Sequence, residues 1–342
     1  MHRKLIGIGC LLLALVAAPL GGALAQDGGF SPEEQAALDT AQSAVESFFT
    51  AQSYTVDHTQ SLAQEINVSL GAEAITIEQQ IDQQGTTTNE RQPDSRFDNQ
   101  TSTLDQTITQ TLRGAEAGQE QTLSLAQTLE MIVLDDRAYL RVTTDDPQMA
   151  GFFPEGWQDI TDGADAFPGM EVYNMEQLLA SSSSEFSAEM FAVLFGAVSE
   201  IELLEPETIG EATAQRVRLV LDPSAALSGE GANSLREMFN TAALPLDVNG
   251  LIELIFTDED THYEITLLFG AEDGQLYGYD VTLNMDIAIP AELLTDQTLA
   301  GADMSLAQES VSALRFTGLN EPAAISAPLL EEAELEETET EG

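Results

Sequence analysis

The sequence predicts an α+β protein: a large curved antiparallel sheet with helices laid against it. Several long segments alternate apolar and polar residues with a period of two, which is typical of strands with one buried face. Fewer segments repeat their apolar residues every three or four positions, as amphipathic helices do. Glycine and proline clusters separate these segments along the 342 residues, so each is expected to form one element.

Residues 1–25 have the pattern of a secretory signal peptide. A basic start at His2–Lys4 precedes an apolar run at Leu5–Ala18, and Ala23–Ala25 has the small residues of a cleavage site before Gln26. A membrane anchor is the alternative, but Pro19 and nearby glycines break the apolar run and no stop-transfer charges follow. The sequence therefore predicts a secreted, periplasmic or cell-envelope protein that begins at Gln26.

Cys10 is the single cysteine of the chain and lies inside this signal. The preceding Gly7–Gly9 only loosely matches the motif of a lipid-modified cysteine and comes early, so a lipid anchor at Cys10 is the alternative to cleavage after Ala25. Without residues 1–25 the chain has no thiol, disulfide or cysteine metal ligand. No cofactor is predicted.

The chain is strongly acidic, with 59 Asp and Glu against 11 Lys and Arg and a net charge of −48. Removal of the signal takes away Arg3 and Lys4, which lowers the net charge by two, to −50. Such a surface repels nucleic acids and anionic membranes, so neither is an expected partner. No later segment reaches the roughly 20 apolar residues that a membrane-spanning helix needs.

The mature chain is predicted to hold one domain, residues 26–328. One domain of about 300 residues can bury roughly three quarters of its unfolded surface. Residues 329–342 contain seven glutamates and no aromatic residue. This composition predicts a disordered acidic tail.

The segment Thr122–Val142 is interpreted as the middle hairpin of the sheet. Apolar side chains alternate with polar ones before Asp135-Asp136, which offers a tight turn, and Ala138–Val142 returns as the partner strand. Ile132 and Leu134 add apolar residues on the other face, so this end is expected to be covered on both sides. The alternating apolar residues are Leu123, Leu125, Leu129, Met131 and Val133.

Other elements follow from the same patterns. Ser31 starts a helix to about Gln52, and a strand over residues 54–70 is long enough to predict a bend or bulge. A polar loop containing Gly85 and Pro93 is expected before the third strand. Further strands are predicted near 75–81, 104–112, 201–204, 217–221, 265–269, 277–289 and 304–316, and helices near 175–179 and 223–239, while 244–256 is ambiguous.

The helix predicted over Glu185–Val198 is apolar nearly all round, so it must be buried on more than one side. One interpretation is a core helix. The other is the wall or lid of an apolar ligand cavity, for which Met and Phe side chains are well suited. The aromatic loop Asp145–Gly169 is expected to pack over the sheet, with Trp157 as a packing anchor.

No residue pattern indicates catalysis. His58 is at a position of the predicted buried face of its strand and is interpreted as a core histidine. The segment Asp258–His262 is the most metal-like cluster, but it lacks the glycine and terminal glutamate of a calcium loop. Nucleophile elbows, phosphate-binding glycine loops and His-Glu-x-x-His are absent from the sequence. The sequence therefore predicts a protein that is not an enzyme, without a metal.

The order of elements resembles the LppX/LprG family of envelope lipoproteins and, more distantly, the LolA lipoprotein carriers. The resemblance spans most of Ser31–Pro328 and lies in the order of the segments. These are a signal peptide, a capped helix leading into Ser53–Val56, long strands, the loop with Pro154–Trp157, apolar helices, more strands and the close at Asn320–Pro328.

This resemblance implies a half-barrel with helices on its concave face and acyl chains held between sheet and helices. The chain would then be a non-enzymatic lipid-binding or lipid-transfer protein, with a lipid or lipidated molecule and envelope proteins as partners. The alternative is a protein-binding sensor or scaffold on the same half-barrel without lipid. The candidate cavity residues are Met131, Val133, Trp157, Phe186, Met190, Phe191, Leu194 and Phe195.

Overall fold

The fold is built around one eleven-stranded antiparallel sheet, seen in a computed structural model. The model describes residues 30–70, 73–92, 97–114, 120–147, 151, 153–161, 191, 194–210, 212–222, 247–258, 261–270, 273–294 and 302–328. The strands are β1 (Ser53–Leu70), β2 (Glu73–Glu90), β3 (Asn99–Arg113), β4 (Glu120–Leu134), β5 (Arg137–Thr144), β6 (Gln158–Asp159), β7 (Val198–Ile209), β8 (Ala212–Leu221), β9 (His262–Gly270), β10 (Leu276–Ile289) and β11 (Asp303–Thr317). Their order is β6-β5-β4-β3-β2-β1-β11-β10-β9-β8-β7. The predicted large antiparallel sheet is confirmed, and it is open, with β6 and β7 as its edges.

The central strand of the sheet is β1, which pairs with β2 on one side and β11 on the other. Neither pairing shifts register anywhere along the 18 residues of β1, so of the predicted bend or bulge the bulge does not occur. The interpretation of the β4–β5 hairpin as the middle of the sheet is also wrong. Among the described strands, only the two-residue β6 lies beyond β5, because the chain adds its first five strands outward from β1 and returns to β1 with β11.

The first helix, α1 (Pro32–Phe48), has the start that the sequence predicts. Oγ of Ser31 accepts a hydrogen bond from the backbone N–H of Glu34, and the backbone N–H of Ser31 donates to Oε2 of Glu34. This capping box satisfies two N–H groups that the helix itself cannot. The helix ends at Phe48 rather than near Gln52. Its buried stripe is Ala37, Leu38, Ala41, Ala44, Val45 and Phe48.

The β4–β5 hairpin turns at Asp135 and Asp136, as predicted. Both have positive φ angles, 51° and 62°, which is the mirrored two-residue turn that matches the twist of a hairpin. Met131 and Val133 are buried on one face. Residues 132 and 134 are only half-buried, so the expected cover on both faces is partial.

Gly85 lies inside β2 rather than in a loop, and β2 runs from Glu73 to Glu90. A Cβ added at Gly85 would come within 2.3 Å of the carbonyl oxygen of Thr103 and 2.7 Å of Cε1 of His58. Glycine is therefore required by the close approach of neighbouring strands, although the sequence pattern favours a turn.

The second half of the chain holds the other helices. Residues 191 and 194–196 are helical, but Val198 already begins β7, so the predicted helix end at Val198 is wrong. Most of α2 (Val248–Thr257) lies in the ambiguous segment 244–256, and a short 3-10 helix at Ala291–Leu293 comes after β10. The expectations for residues 1–25, 175–179, 185–190, 223–239 and 329–342 lie outside the described residues.

Helices pack on one face of the sheet, which we call the helix face; the opposite face is the open face. Side chains of α1, of residues 191–197 and of α2 form one buried cluster with alternate residues of β1, β2 and β7–β11. The rings of Phe48 and Phe316 lie 4.2 Å apart in this cluster. A second, smaller cluster lies on β4 and β5 and consists of Met131, Val133, Ala138, Leu140, Val142 and Ile160.

The two chain ends of the fold meet beside β1. The backbone N–H of Gln52 donates to Oδ1 of Asn320 at 2.8 Å, and the backbone N–H of Asn320 donates to the carbonyl oxygen of Ser53 at 2.8 Å. Asn320 has a positive φ of 60°. The C-terminal segment at residues 320–322 is thus hydrogen-bonded to the residues that begin β1.

Candidate functional site

The predicted cavity residues fall into two separate clusters. Phe191, Leu194 and Phe195 belong to the large cluster, and Met131 and Val133 belong to the small cluster on β4 and β5. Phe191 packs its ring 5.6 Å from that of Tyr279 and 5.9 Å from that of Phe49. In the described part of the chain these residues are buried, and the two clusters to which they belong are separate. Phe186 and Met190 lie outside the described residues.

Trp157 lies on the other side of the sheet from Met131 and Val133. The guanidinium of Arg141 sits 4.9 Å from the Trp157 ring centre and donates through Nε and Nη2 to the Glu130 carboxylate at 2.5 and 2.6 Å. Arg141 and Glu130 are at open-face positions, since Met131 and Val133 alternate with them. The hydrogen bonds to Glu130 raise the pKa of Arg141. Trp157 therefore contacts the open face through Arg141 and is half-buried there.

Charge is divided between the two faces of the sheet. On β1, β3, β4, β5 and β8–β11, every Asp, Glu and Arg occupies an open-face position in the pairing register. The helix face of these strands carries only apolar, uncharged polar and histidine side chains. Because an isolated buried charge is expensive, this division leaves a long face suited to uncharged groups.

His58 on β1 is a titratable group on the helix face. Burial lowers the pKa of the His58 imidazole, and the neighbouring Asp57 carboxylate opposes this shift. The neutral imidazole is the favoured form in the fold. His58 thus adds no positive charge to the helix face near pH 7, as its interpretation as a core histidine requires.

Glutamine side chains cross the helix face in two rows. The first, which we call the four-glutamine ladder, consists of Gln60, Gln83, Gln106 and Gln127 on four adjacent strands. Gln127 donates to Gln106 at 2.9 Å, Gln106 donates to Gln83 at 3.3 Å, and Gln83 donates to Gln60. All donate in the same direction, so the amide dipoles reinforce one another.

The second row, the three-glutamine row, lies about 13 Å further along the strands, beyond an intervening row of apolar residues. It consists of the three buried glutamines Gln79 on β2, Gln64 on β1 and Gln308 on β11, which pair in register. The half-buried Gln110 on β3 lies opposite Gln79 at its end. Nε2 of Gln64 donates to Oε1 of Gln308 at 3.0 Å. Between the two rows lie Leu62, Ile81, Ile108 and Leu125.

Part of the apolar surface on the helix face belongs to neither buried cluster. We call this part the apolar strip; it lies on β3 and β4 and all its side chains are partly accessible. Leu123, on the same face and opposite Gln110, is 58% exposed. The apolar strip consists of Leu104, Ile108, Leu125 and Leu129.

A cavity of about 630 Å³ lies across β3, β2, β1, β11 and β10. Most of its lining side chains are at open-face positions, and none is a predicted cavity residue. This cavity is polar and acidic, so it is not the apolar cavity that the sequence predicts. The carboxylates that line it are Glu65, Glu78, Asp286 and Glu309.

These carboxylates give no sign of catalysis. Glu65 lies directly opposite Glu78, and Arg113 pairs with Glu78. Within the described ranges, no group of three or more His, Cys, Asp and Glu is arranged to hold a metal ion. In the same part of the chain, no helix has the length and the hydropathy that crossing a membrane requires.

Comparisons with known proteins give a likeness only among solved structures. No protein-family model and no curated protein matches the chain. The fold is similar to those of LprF and LppX. LprF from Mycobacterium bovis is 11% identical over 87% of this chain and 98% of its own, with a TM-score of 0.33. The lipoprotein LppX from Mycobacterium tuberculosis is 9% identical over 85% of this chain and 99% of its own, with a TM-score of 0.34.

A third similar structure is a putative outer membrane lipoprotein-sorting protein domain from Vibrio parahaemolyticus. It is 10% identical over 84% of this chain and 95% of its own, with a TM-score of 0.15. These folds are of the kind that the order of elements predicts. TM-scores of this size carry no argument about activity, so function is argued from the residues of this chain.

Sequence reasoning missed the glutamine rows, although the signal is present. On one parity of β1, Gln60 and Gln64 alternate with Leu62 and Ile66. The same four-residue repeat recurs in β2 and β3, with glutamine in place of every second apolar residue. In register, these repeats place glutamine beside glutamine across neighbouring strands. The repeat consists of Ile77, Gln79, Ile81 and Gln83 in β2, and of Leu104, Gln106, Ile108 and Gln110 in β3.

Proposed function

We propose that this chain is an exported, non-enzymatic lipid-binding or lipid-transfer protein that holds acyl chains against the helix face of its sheet. The observation that carries the proposal is the apolar strip, which lies between two packed clusters and remains partly accessible. Water-accessible apolar surface is costly, and its burial by a ligand is worth about 25 cal/mol per Å².

The division of charge supports an uncharged ligand segment at this face. An acyl chain on the helix face meets leucine, isoleucine and carboxamide groups and no ionised carboxylate on β1, β3 and β4. The acidic open face would instead keep the protein soluble and repel anionic bilayers. A carrier with these two faces can hold a lipid on one side without adsorbing to the membrane through the other.

The first experiment identifies what co-purifies with the protein from its native host. Lipid extraction and mass spectrometry of the purified mature chain should yield an acyl-chain compound in a fixed ratio to protein. A preparation that carries no lipid, and that binds none when lipid is supplied, would contradict the proposal. The alternative is then the protein-binding scaffold.

The second experiment places the acyl chain on the helix face. Ile108 and Leu125 are opposite one another in the apolar strip. Their replacement, Ile108→Gln and Leu125→Gln, should weaken lipid binding by about tenfold, because each removes part of one apolar contact surface. The matched controls are Thr109→Gln and Ala126→Gln, one residue along on the open face. Equal weakening by both pairs would contradict the placement.

Export is part of the proposal. The predicted cleavage gives a mature chain that starts at Gln26, with Cys10 removed. Intact mass of the protein from its native host tests this directly. A chain that retains a diacylglyceryl group on Cys10 would instead establish a lipid-anchored protein, and would leave the lipid-binding face to be judged by the first two experiments.

A further inference from the structure

The three-glutamine row on β2, β1 and β11 contains buried polar atoms without partners. Gln64 and Gln308 are each 4% exposed and Gln79 is 5% exposed. Nε2 of Gln64 donates to Oε1 of Gln308. Three atoms of the row remain unpaired: Oε1 of Gln64, Oε1 of Gln79 and Nε2 of Gln308.

Unpaired amide atoms at this depth are unfavourable, since each forfeits its hydrogen bonds to water. The number of free donors and free acceptors does not depend on which of Gln64 and Gln308 donates to the other. If both amides were turned over, Gln308 would donate to Gln64, and one donor and one acceptor of the pair would still be free. With Oε1 of Gln79, the row offers one free donor and two free acceptors on the helix face.

We propose, on the basis of the lipid-binding function proposed above, that the three-glutamine row is the polar subsite for an uncharged vicinal diol at the end of an acyl chain, as in a monoacylglycerol. One hydroxyl accepts from Nε2 of Gln308 and donates to Oε1 of Gln64. The second hydroxyl donates to Oε1 of Gln79. All three free atoms are then satisfied, and the acyl chain extends toward the apolar strip on β3 and β4.

Other lipid end groups fit this subsite less well. An ester or a hydrocarbon end donates no hydrogen bond, so both Oε1 atoms would stay unpaired. A carboxylate or a fully ionised phosphate end also donates none, and it brings a charge. The arginines on the described strands are all at open-face positions, so none is beside the row to neutralise that charge. These arginines are Arg113, Arg137, Arg141, Arg216, Arg218 and Arg315.

The test compares three probes with one acyl chain in common: a 1-monoacylglycerol, the methyl ester of the same fatty acid, and the free fatty acid. Their affinities for the delipidated mature protein are measured by displacement of an environment-sensitive fluorescent lipid. We expect the monoacylglycerol to bind more tightly than the methyl ester by about tenfold or more, because each neutral hydrogen bond is worth roughly threefold to tenfold.

Two variants assign this preference to the row. The double variant Gln64→Met and Gln308→Met removes the bonded pair together, so it leaves no orphaned partner. It should bring the ratio of the two affinities close to one without changing the methyl ester affinity. Gln79→Met, which leaves that pair intact, should lower the ratio by roughly threefold to tenfold. It also keeps the test decisive if the double variant does not fold.

The control is Gln106→Met in the four-glutamine ladder, where the amide already donates to Gln83 and accepts from Gln127. It should leave the ratio unchanged. Equal affinity of the parent protein for monoacylglycerol and methyl ester would overturn the inference and assign the row to bound water. A ratio unaffected by Gln79→Met would also overturn it. Failure of all three probes to bind would instead overturn the proposed function.

Discussion

His58 on β1 faces Gly85 on β2, and the imidazole occupies the space that a side chain at position 85 would need. Cε1 of His58 lies 2.7 Å and Nε2 lies 3.0 Å from an ideal Cβ at Gly85. The carbonyl oxygen of Thr103 approaches the same point to 2.3 Å from the other neighbouring strand. The glycine therefore permits three adjacent strands to pair through this level without a bulge.

Gly85→Ala is expected to lower the free energy of unfolding by about 1–3 kcal/mol, because the new methyl group overpacks a site bounded by backbone. Gly151→Ala is the matched control, since no atom lies within 4 Å of its ideal Cβ. It should change stability by less than about 0.5 kcal/mol. Urea unfolding of both variants measures the difference. Equal stability of the two variants would show that β1 and β3 can move away from position 85 without a loss in the free energy of unfolding.

Protonation of His58 should destabilise the fold below neutral pH. The folded-state pKa of His58 lies below its unfolded value of 6.5, chiefly through burial. The unfolded chain therefore binds more protons in the window below pH 6.5, and stability falls as pH drops through that window. The stabilising contribution is fully present above pH 6.5.

A His58→Gln variant isolates this contribution from the many carboxylates. The slope of stability against pH between about 7 and 5 should be shallower in the variant than in the parent. Urea midpoints at a series of pH values measure both slopes. Parallel curves would show that His58 titrates alike in the folded and unfolded chains.

Phe191 should behave as a fully packed core residue. It is 3% exposed and its ring contacts those of Phe49, Phe195 and Tyr279. Phe191→Ala should cost about 3–5 kcal/mol, the loss typical of a buried phenylalanine. A much smaller loss, measured by chemical denaturation, would indicate unfilled space beside this ring and a ligand cavity nearer the large cluster.

Leu123→Ala should cost far less than Phe191→Ala in the lipid-free protein, since its side chain is 58% exposed. The loss should stay below about 1 kcal/mol. With lipid bound, the same substitution should lower the melting temperature further relative to the parent, because the ligand would cover this side chain. An identical loss with and without lipid would place the acyl chain away from β4.

Like charges meet on the open face at Glu65 and Glu78, which are directly opposite in β1 and β2. Glu65→Gln should raise the melting temperature at low ionic strength, because it removes the cross-strand repulsion that remains beside the Arg113–Glu78 pair. The gain should shrink toward zero near 1 M sodium chloride, where the Debye length is about 3 Å. A gain that is independent of salt would have to come from packing rather than charge.

Much of the fold is readable from the sequence because one face of each strand is buried. The capping box of α1, the turn at Asp135-Asp136 and the alternation in β4, β10 and β11 all follow from local rules. The sequence pattern at Gly85 is ambiguous because glycine marks both turns and close strand approaches, and the pairing of β2 with β1 and β3 distinguishes them. The place of the β4–β5 hairpin near an edge depends on the long-range pairing of β1 with β11, which no local pattern encodes.

The candidate site was harder to predict than the fold. Met131 and Phe191 are both apolar and buried, and composition gives no means of telling that they belong to different clusters. The glutamines are hard to recognise in the sequence because a polar residue at a position of the apolar face looks like a break in the alternating pattern of a strand. Their meaning depends on register, since Gln64 gains a partner only when β11 brings Gln308 beside it.

The pairing of β1 with β11 joins strands whose residues are more than 200 positions apart along the chain, as in the Gln64–Gln308 contact. Contacts this distant in sequence form late, because a very long loop must close first. While β11 is missing, both β1 and β10 present unpaired backbone along their full length. A nascent chain therefore lacks the middle of its sheet until its last strand has been synthesised. Until then, β1 and β10 each keep one unpaired edge, so the two halves of the sheet cannot join.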